Sequence, residues 1–369
     1  MAGTMPDALI GAMPPPVIRS GPGAWLRKHF FATWYDAVFS VLFAVLIAWV
    51  LQALMQWAVI DAIWRVENRE LCTREAGACW AVIESRGRLI LFGLYPFDEQ
   101  WRSTLACLVI IATIALSCLP AFWSIRRLPA LWIAGFGIFV MLMRGGFAGL
   151  PLVTSEQWGG LSLTLFIFSG VVVIGMPLAV VFALARRSSL PVIAKSFGFF
   201  IDIVRSLPLL ALLFAAAVVV PLLLPDALAG NKLMRVVVAF GIFFAAYQAE
   251  IIRAGLQSIP NGQDEAAVAL GMPYWSRVVD ILLPQAFRNT LPSTVNQAVI
   301  TFKETSIVTI IGFFEVMASG NAAIGNGEWG NQYVEVYVFL ALIYFVFVFV
   351  FGLSRYGAWL EQRMRLGHD

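Results

Sequence analysis

The chain has 369 residues, of which 60% are hydrophobic and 13% charged, and its mean hydropathy is +0.83. A soluble domain carries roughly a quarter charged residues, so the composition excludes one and points to a membrane protein. The net charge of +3 comes without a basic run or an aromatic RNA-binding pattern, which argues against nucleic acid as a partner.

His29 and His368 both fall in tails, which argues against a haem or metal centre within the membrane. Cys72, Cys79, Cys107 and Cys118 lack the paired spacing of zinc sites. No metal and no cofactor are expected.

Residues 1–35 read as a cytoplasmic N-terminal tail. Pro6, Pro14, Pro15, Pro16 and Pro22 replace the apolar core of a cleaved signal. A span needs about 20 mostly apolar residues, and about eight hydrophobic segments follow the tail. The first runs from Ala37 to Ile60 without a charge, the second from Leu105 to Trp123, and the third, short one from Leu131 to Met143. The fourth is Leu161 to Leu184, the fifth Leu207 to Leu224 and the sixth Leu233 to Ile251. The seventh, Val299 to Phe314, is interrupted by Lys303 and Glu304, and the eighth is Val334 to Leu353.

Basic residues set the orientation. Arg19, Arg27 and Lys28, then Arg126 and Arg127, then Arg186, Arg187, Lys195 and Arg205, and finally Arg355, Arg363 and Arg365 fall on one side if every segment spans. The stretch from Glu315 to Glu335 holds no Lys or Arg. Both termini are therefore expected in the cytoplasm, and the third segment decides the sign of the first half.

The loop 61–103 lies outside in that topology. It holds Cys72 and Cys79, seven positions apart, which form either a disulfide or two free thiols in a surface loop. Residues 36–158 make a three-helix N-terminal section, and 159–369 a five-segment core with a C-terminal tail. No internal repeat of the secondary-transporter kind is present. The spacing of Gly145 and Gly149 suits helix packing, but its place near a membrane edge favours a turn.

Between segments six and seven, residues 261–284 read as a short cytoplasmic helix with defined ends. Asn261 is placed to cap it, and Asp264 and Glu265 lie in its first turn, where the helix dipole favours acids. Ala266, Ala267 and Ala269 offer a small-residue surface, and Gly271 suits a left-handed stop before Pro273 opens a second helix. Such a knob serves either as a docking element or as an ordinary loop helix.

The spacing of Glu265, Ala266, Ala267, Gly271, Ile281, Leu283 and Pro284 resembles the EAA loop of ABC importer permeases. More narrowly, the chain resembles the polar amino-acid branch through Thr164-Leu165, the run from Asp202 to Leu210, the run from Ala246 to Leu256, and Lys303-Glu304-Thr305-Ser306. The branch often has Gly-Thr where Ser206-Leu207 stands. The likeness covers about 160–365, and the N-terminal section resembles the long permease subunit of the general L-amino-acid importer.

This resemblance implies an all-α membrane protein of the inner membrane, with a five-helix type I permease core. It implies that Asp264, Glu265, Ala266, Ala267, Leu270, Gly271 and Met272 couple to an ATPase. The partners it implies are two ATP-binding cassette ATPase subunits, a second homologous permease subunit forming a heterodimer, and a periplasmic amino-acid-binding protein, besides membrane lipid. The chain has no phosphate-binding G-x-x-x-x-G-K-[ST] loop, so it is not expected to be an enzyme.

Tyr247, Gln248, Glu250, Arg253, Lys303, Glu304 and Thr305 are the candidates for a translocation path or gate. Charges at such depth are expensive and face protein or a water-filled cavity. Glu250 and Arg253 share a helix face at i and i+3. The competing reading makes these charges an ion-pair lattice holding segments six and seven together. A rival class, an ion-coupled secondary amino-acid transporter, would use Glu250 and Glu304 as its carboxylates. A membrane-embedded enzyme would need a nucleophile–base pair or metal ligands, and the sequence offers none.

Overall fold

The computed structural model describes residues 21–72, 77–122, 124, 126–225, 229–325 and 327–346. Arg19, the C-tail arginines, His368, the prolines before Pro22 and the end of the eighth segment lie outside the described residues. The chain divides into two compact units, Met1–Ile63 with Glu70–Ala78, and Trp64–Arg69 with Cys79–Asp369.

In the first unit, α1 (Pro22–Phe30) opens with proline at its first position, where the missing N–H costs nothing. A capping box starts α2 (Trp34–Met55). Thr33 Oγ1 accepts the Asp36 N–H at 3.3 Å, and the Asp36 carboxylate accepts the Thr33 N–H at 3.1 Å. A π-turn extends the helix to a 27-residue apolar run, Trp34–Ile60. None of its side chains is buried, as expected of a helix hydrophobic all round in lipid.

The second unit comprises α3 (Ala81–Phe92), α4 (Gln100–Ser117), α5 (Arg127–Arg144), α6 (Gly160–Arg186), α7 (Pro191–Ser206), α8 (Leu209–Leu223), α9 (Lys232–Gln257), α10 (Asn261–Ala269), α11 (Leu283–Glu304), α12 (Val316–Ile324) and α13 (Tyr333–Val346). Its centre is α6 against α9, its most extensive helix pair. A Cβ at Gly175 would strike the Phe244 ring and the Gly241 carbonyl, so the absence of a side chain there sets the closeness of that crossing. Helices α3 and α4 pack on α6, and α11 packs on α9.

Arg102, with no exposed side-chain surface, fastens α4 to α5. Its guanidinium donates to the Leu142 carbonyl at 2.7 Å and the Pro151 carbonyl at 3.1 Å, and meets Glu99 at 3.1 Å. Gly145 and Gly149 take positive φ in the turn after α5.

By length and composition, α2 with its extension, Phe97–Ser117, α5, α6 and α9 can each cross a membrane. The third segment thus reaches 18 residues once its ends are included. The fifth segment is one limb of a bent pair: α7 and α8 meet at 102°. Pro208 at the N-cap of α8 disfavours continued helix at Leu207.

The seventh segment differs from the expected Val299–Phe314. The α-helix starts earlier and ends at Glu304, and Thr305–Ile311 is a 3-10 helix that Gly312 stops at φ 88°. The Thr305 hydroxyl donates to the Phe302 carbonyl and the Ser306 hydroxyl to the Lys303 carbonyl. Such local bonds compete with the α ladder. Glu315 then caps α12 and is fully buried. It accepts from the Met317 and Ala318 N–H groups at 2.8 and 3.0 Å and from the Thr309 and Thr164 hydroxyls at 2.7 and 3.3 Å, joining the start of α6 to α12.

Cys72 and Cys79 each stand in a disulfide, and Cys107 is a buried free thiol.

Candidate functional site

Helix α10 is built for a sharp stop. Gly271 has φ +73°, the Gly271 N–H donates to the Val268 carbonyl at 2.9 Å, and the Met272 N–H donates to the Ala267 carbonyl at 3.1 Å. That pair of bonds is a Schellman motif, which glycine enters without the penalty of a side chain. The start differs from the sequence expectation. Pro260 holds the N-cap, without a side-chain cap bond, and Asn261 is the first helical residue.

From the first turn, Asp264 Oδ1 reaches Arg277 Nη1 at 2.9 Å and clamps α10 to the returning segment Tyr274–Leu282. Glu265, Ala266, Leu270 and Gly271 are exposed, Leu270 by 81%, whereas Met272 is half-buried and Ala267 is turned inward at 3%. Exposed Tyr274 and Trp275 stand beyond the stop, their rings edge to face.

At the arginine-rich ends of α6, α7 and α9 lies a cluster centred on Glu250. Its carboxylate meets Arg253 at 2.9 Å, Arg186 at 3.1 Å and Arg205 at 3.9 Å. Arg186 also pairs with Asp202 at 2.8 Å, and Arg253 donates to Gln257 at 2.8 Å. The Tyr247 hydroxyl donates to the Arg205 carbonyl at 3.1 Å, and the Arg205 guanidinium lies 5.3 Å from the Tyr247 ring centre. The lattice therefore holds Glu250 and Arg253, but it joins α9 to α6 and α7. The expected partners in segment seven are elsewhere.

Deeper along α9, Gln248 is fully buried and donates to Thr294 Oγ1 of α11 at 2.8 Å. Its Oε1 and Glu304 Oε2 are buried without a hydrogen-bond partner among the described residues. Lys303 is exposed and forms no ion pair among the described residues. Thr305 is fully buried.

In the sequence, Arg186 and Arg205 read as orientation signals and Asp202 as family text; their roles as partners, Arg186 and Arg205 of Glu250 and Asp202 of Arg186, emerge only in the fold. Glu315 too was unread, although an acid at the start of a helix of small and apolar residues is favoured by the helix dipole.

Residues 175–366 match the family described as binding-protein-dependent transport system inner membrane component. The inner membrane amino-acid ABC transporter permease protein YhdY of Escherichia coli is 37% identical over 98% of this chain and 99% of its own length. The glutamate/glutamine/aspartate/asparagine transport system permease protein BztC of Rhodobacter capsulatus is 30% identical over 98% of each chain. Among solved structures, an amino acid ABC transporter crystallised with histidines shares 31% identity, with 55% of this chain and 92% of that one covered and a TM-score of 0.48.

Proposed function

This chain belongs to the binding-protein-dependent transport system inner membrane component family as an amino-acid ABC transporter permease, and from that premise we propose that it couples ATP hydrolysis in a separate subunit to amino-acid import through α10. The ion-coupled alternative gives way to this membership. In the proposed assembly, two ATPase subunits bind the cytoplasmic side and a second, homologous permease subunit completes a heterodimer. A periplasmic binding protein delivers the substrate. Both termini face the cytoplasm. Residues 36–158 act as an N-terminal section appended to a core from 159 onward.

The observation that carries the reading is the geometry of α10. A helix of nine residues, braced by Asp264 and Arg277 and stopped at Gly271, presents Leu270 and Glu265 outward. A short rigid helix with an exposed apolar tip can enter a groove of another protein and transmit its motion.

The path candidates divide by their contacts. Tyr247, Glu250 and Arg253 fasten helices together. Gln248, Lys303, Glu304 and Thr305 are assigned to the path or its gate, because buried carbonyl and carboxylate oxygens without partners suit a zwitterion's ammonium group. Polar amino acids are the proposed cargo, in line with the substrates in the name of the BztC relative.

A cysteine placed at Leu270 tests the docking. In the complex purified with its ATPase, Leu270→Cys is expected to cross-link to that subunit, and a cysteine at exposed Ile133 is not. Equal cross-linking at both positions contradicts the reading.

A further inference from the structure

Two cavities adjoin the base of α10. One, of 340 Å³, is lined by Arg186, Arg187, Arg253, Leu256, Gln257 and Asn261. The other, of 860 Å³, lies between the last turns of α6, the start of α7 and the returning segment. Its walls are largely apolar, with Val180, Val181, Leu184, Ile193, Val279 and Leu282 among them. Arg187 and Leu256 line both, so a cationic chamber opens beside an apolar groove.

The chamber carries excess positive charge. Arg186 and Arg253 share Glu250, and Asp202 balances one more charge. Arg187 is exposed and forms no ion pair among the described residues. Asp264, the acid on the groove wall, is already engaged by Arg277.

We propose that these joined cavities bind an anionic phospholipid, with its phosphate on Arg187 and its acyl chains in the groove. A free phosphate would use the chamber and leave the groove unexplained. A basic site at the end of a membrane-crossing helix is suited to a lipid headgroup. The bound lipid braces Val278, Val279 and Leu282, on the segment to which Asp264 ties α10. It thereby supports the docking helix from behind without covering Leu270, which does not line either cavity.

The test uses the assembled transporter in nanodiscs of phosphatidylcholine, with and without phosphatidylglycerol, and counts retained lipids by native mass spectrometry after mild detergent extraction. The wild-type complex is expected to retain phosphatidylglycerol in preference to phosphatidylcholine. Arg187→Gln is expected to weaken that retention about fivefold, as for one basic residue at an anionic lipid surface. Val181→Trp, which fills the groove, is expected to displace the lipid with Arg187 intact. Equal retention of the two lipids by the wild type overturns the proposal, and that result needs no variant. Undiminished phosphatidylglycerol in Arg187→Gln also overturns it. So does saturation of the site by inorganic phosphate with the acyl chains absent.

Discussion

Glu250 sits 15% exposed among Arg186, Arg205 and Arg253. Neutralising it leaves the arginines facing one another in a partly desolvated place. Glu250→Gln is therefore expected to lower the stability of the complex by about 2 kcal/mol, the scale of charge-assisted bonds lost. Thermal unfolding in detergent measures this, and the substrate preference of the surviving complex should not change. A shifted preference at unchanged stability would move Glu250 into the path. Glu304→Gln is expected to behave in the opposite way, because Glu304 Oε2 has no partner among the described residues to lose. Uptake kinetics should show weaker apparent affinity with the unfolding midpoint preserved, and unchanged affinity, selectivity and rate would remove the residue from the path. The Glu250–Arg253 pair was legible from its i, i+3 spacing. Its companions Arg186 and Arg205 were not, since they meet it only when α6 and α7 fold back on α9. Glu315 was hidden for another reason: reading Val299–Phe314 as one span left its neighbour to begin a loop instead of a helix.

Helix α10 was the most readable element, because its ends are written in local chemistry. Asp264 in the first turn and the left-handed Gly271 stand where the sequence placed them. The cap shifted by one residue, from Asn261 to Pro260, since proline's fixed φ already sets the entry angle. No atom lies within 4 Å of a Cβ at Gly271, so a substitution there meets only backbone strain. That strain is roughly 1 to 2 kcal/mol for a residue with a side chain in this region. Gly271→Asp is thus expected to insert in the membrane and assemble normally, yet to lose ATP-driven uptake. Normal uptake by that variant would remove the docking role from α10. The bent pair α7–α8 was less readable. Hydropathy shows a run of apolar residues, whereas the bend of 102° depends on Pro208 and on the surfaces each limb finds.

At the scale of the whole chain, the membrane class was visible in composition alone, and the α-helical permease architecture in the order of apolar segments and the residue 261–284 motif. Only the last turns of amphipathic α11, from Val299 to Glu304, entered the segment count; its earlier turns escaped because their apolar residues are spread among Arg288, Asn289 and Gln297. Its burial comes from packing on α9, a partner that no hydropathy window contains. In the proposed function, ATP hydrolysed by a partner on the α10 side drives amino acids through this chain. The most direct measurement is uptake of a radiolabelled polar amino acid into proteoliposomes holding the complete co-purified transporter. Uptake is predicted to require ATP on the α10 side and binding protein on the other, and to persist when ionophores collapse proton and sodium gradients. Uptake that follows an ion gradient and proceeds without ATP would contradict it.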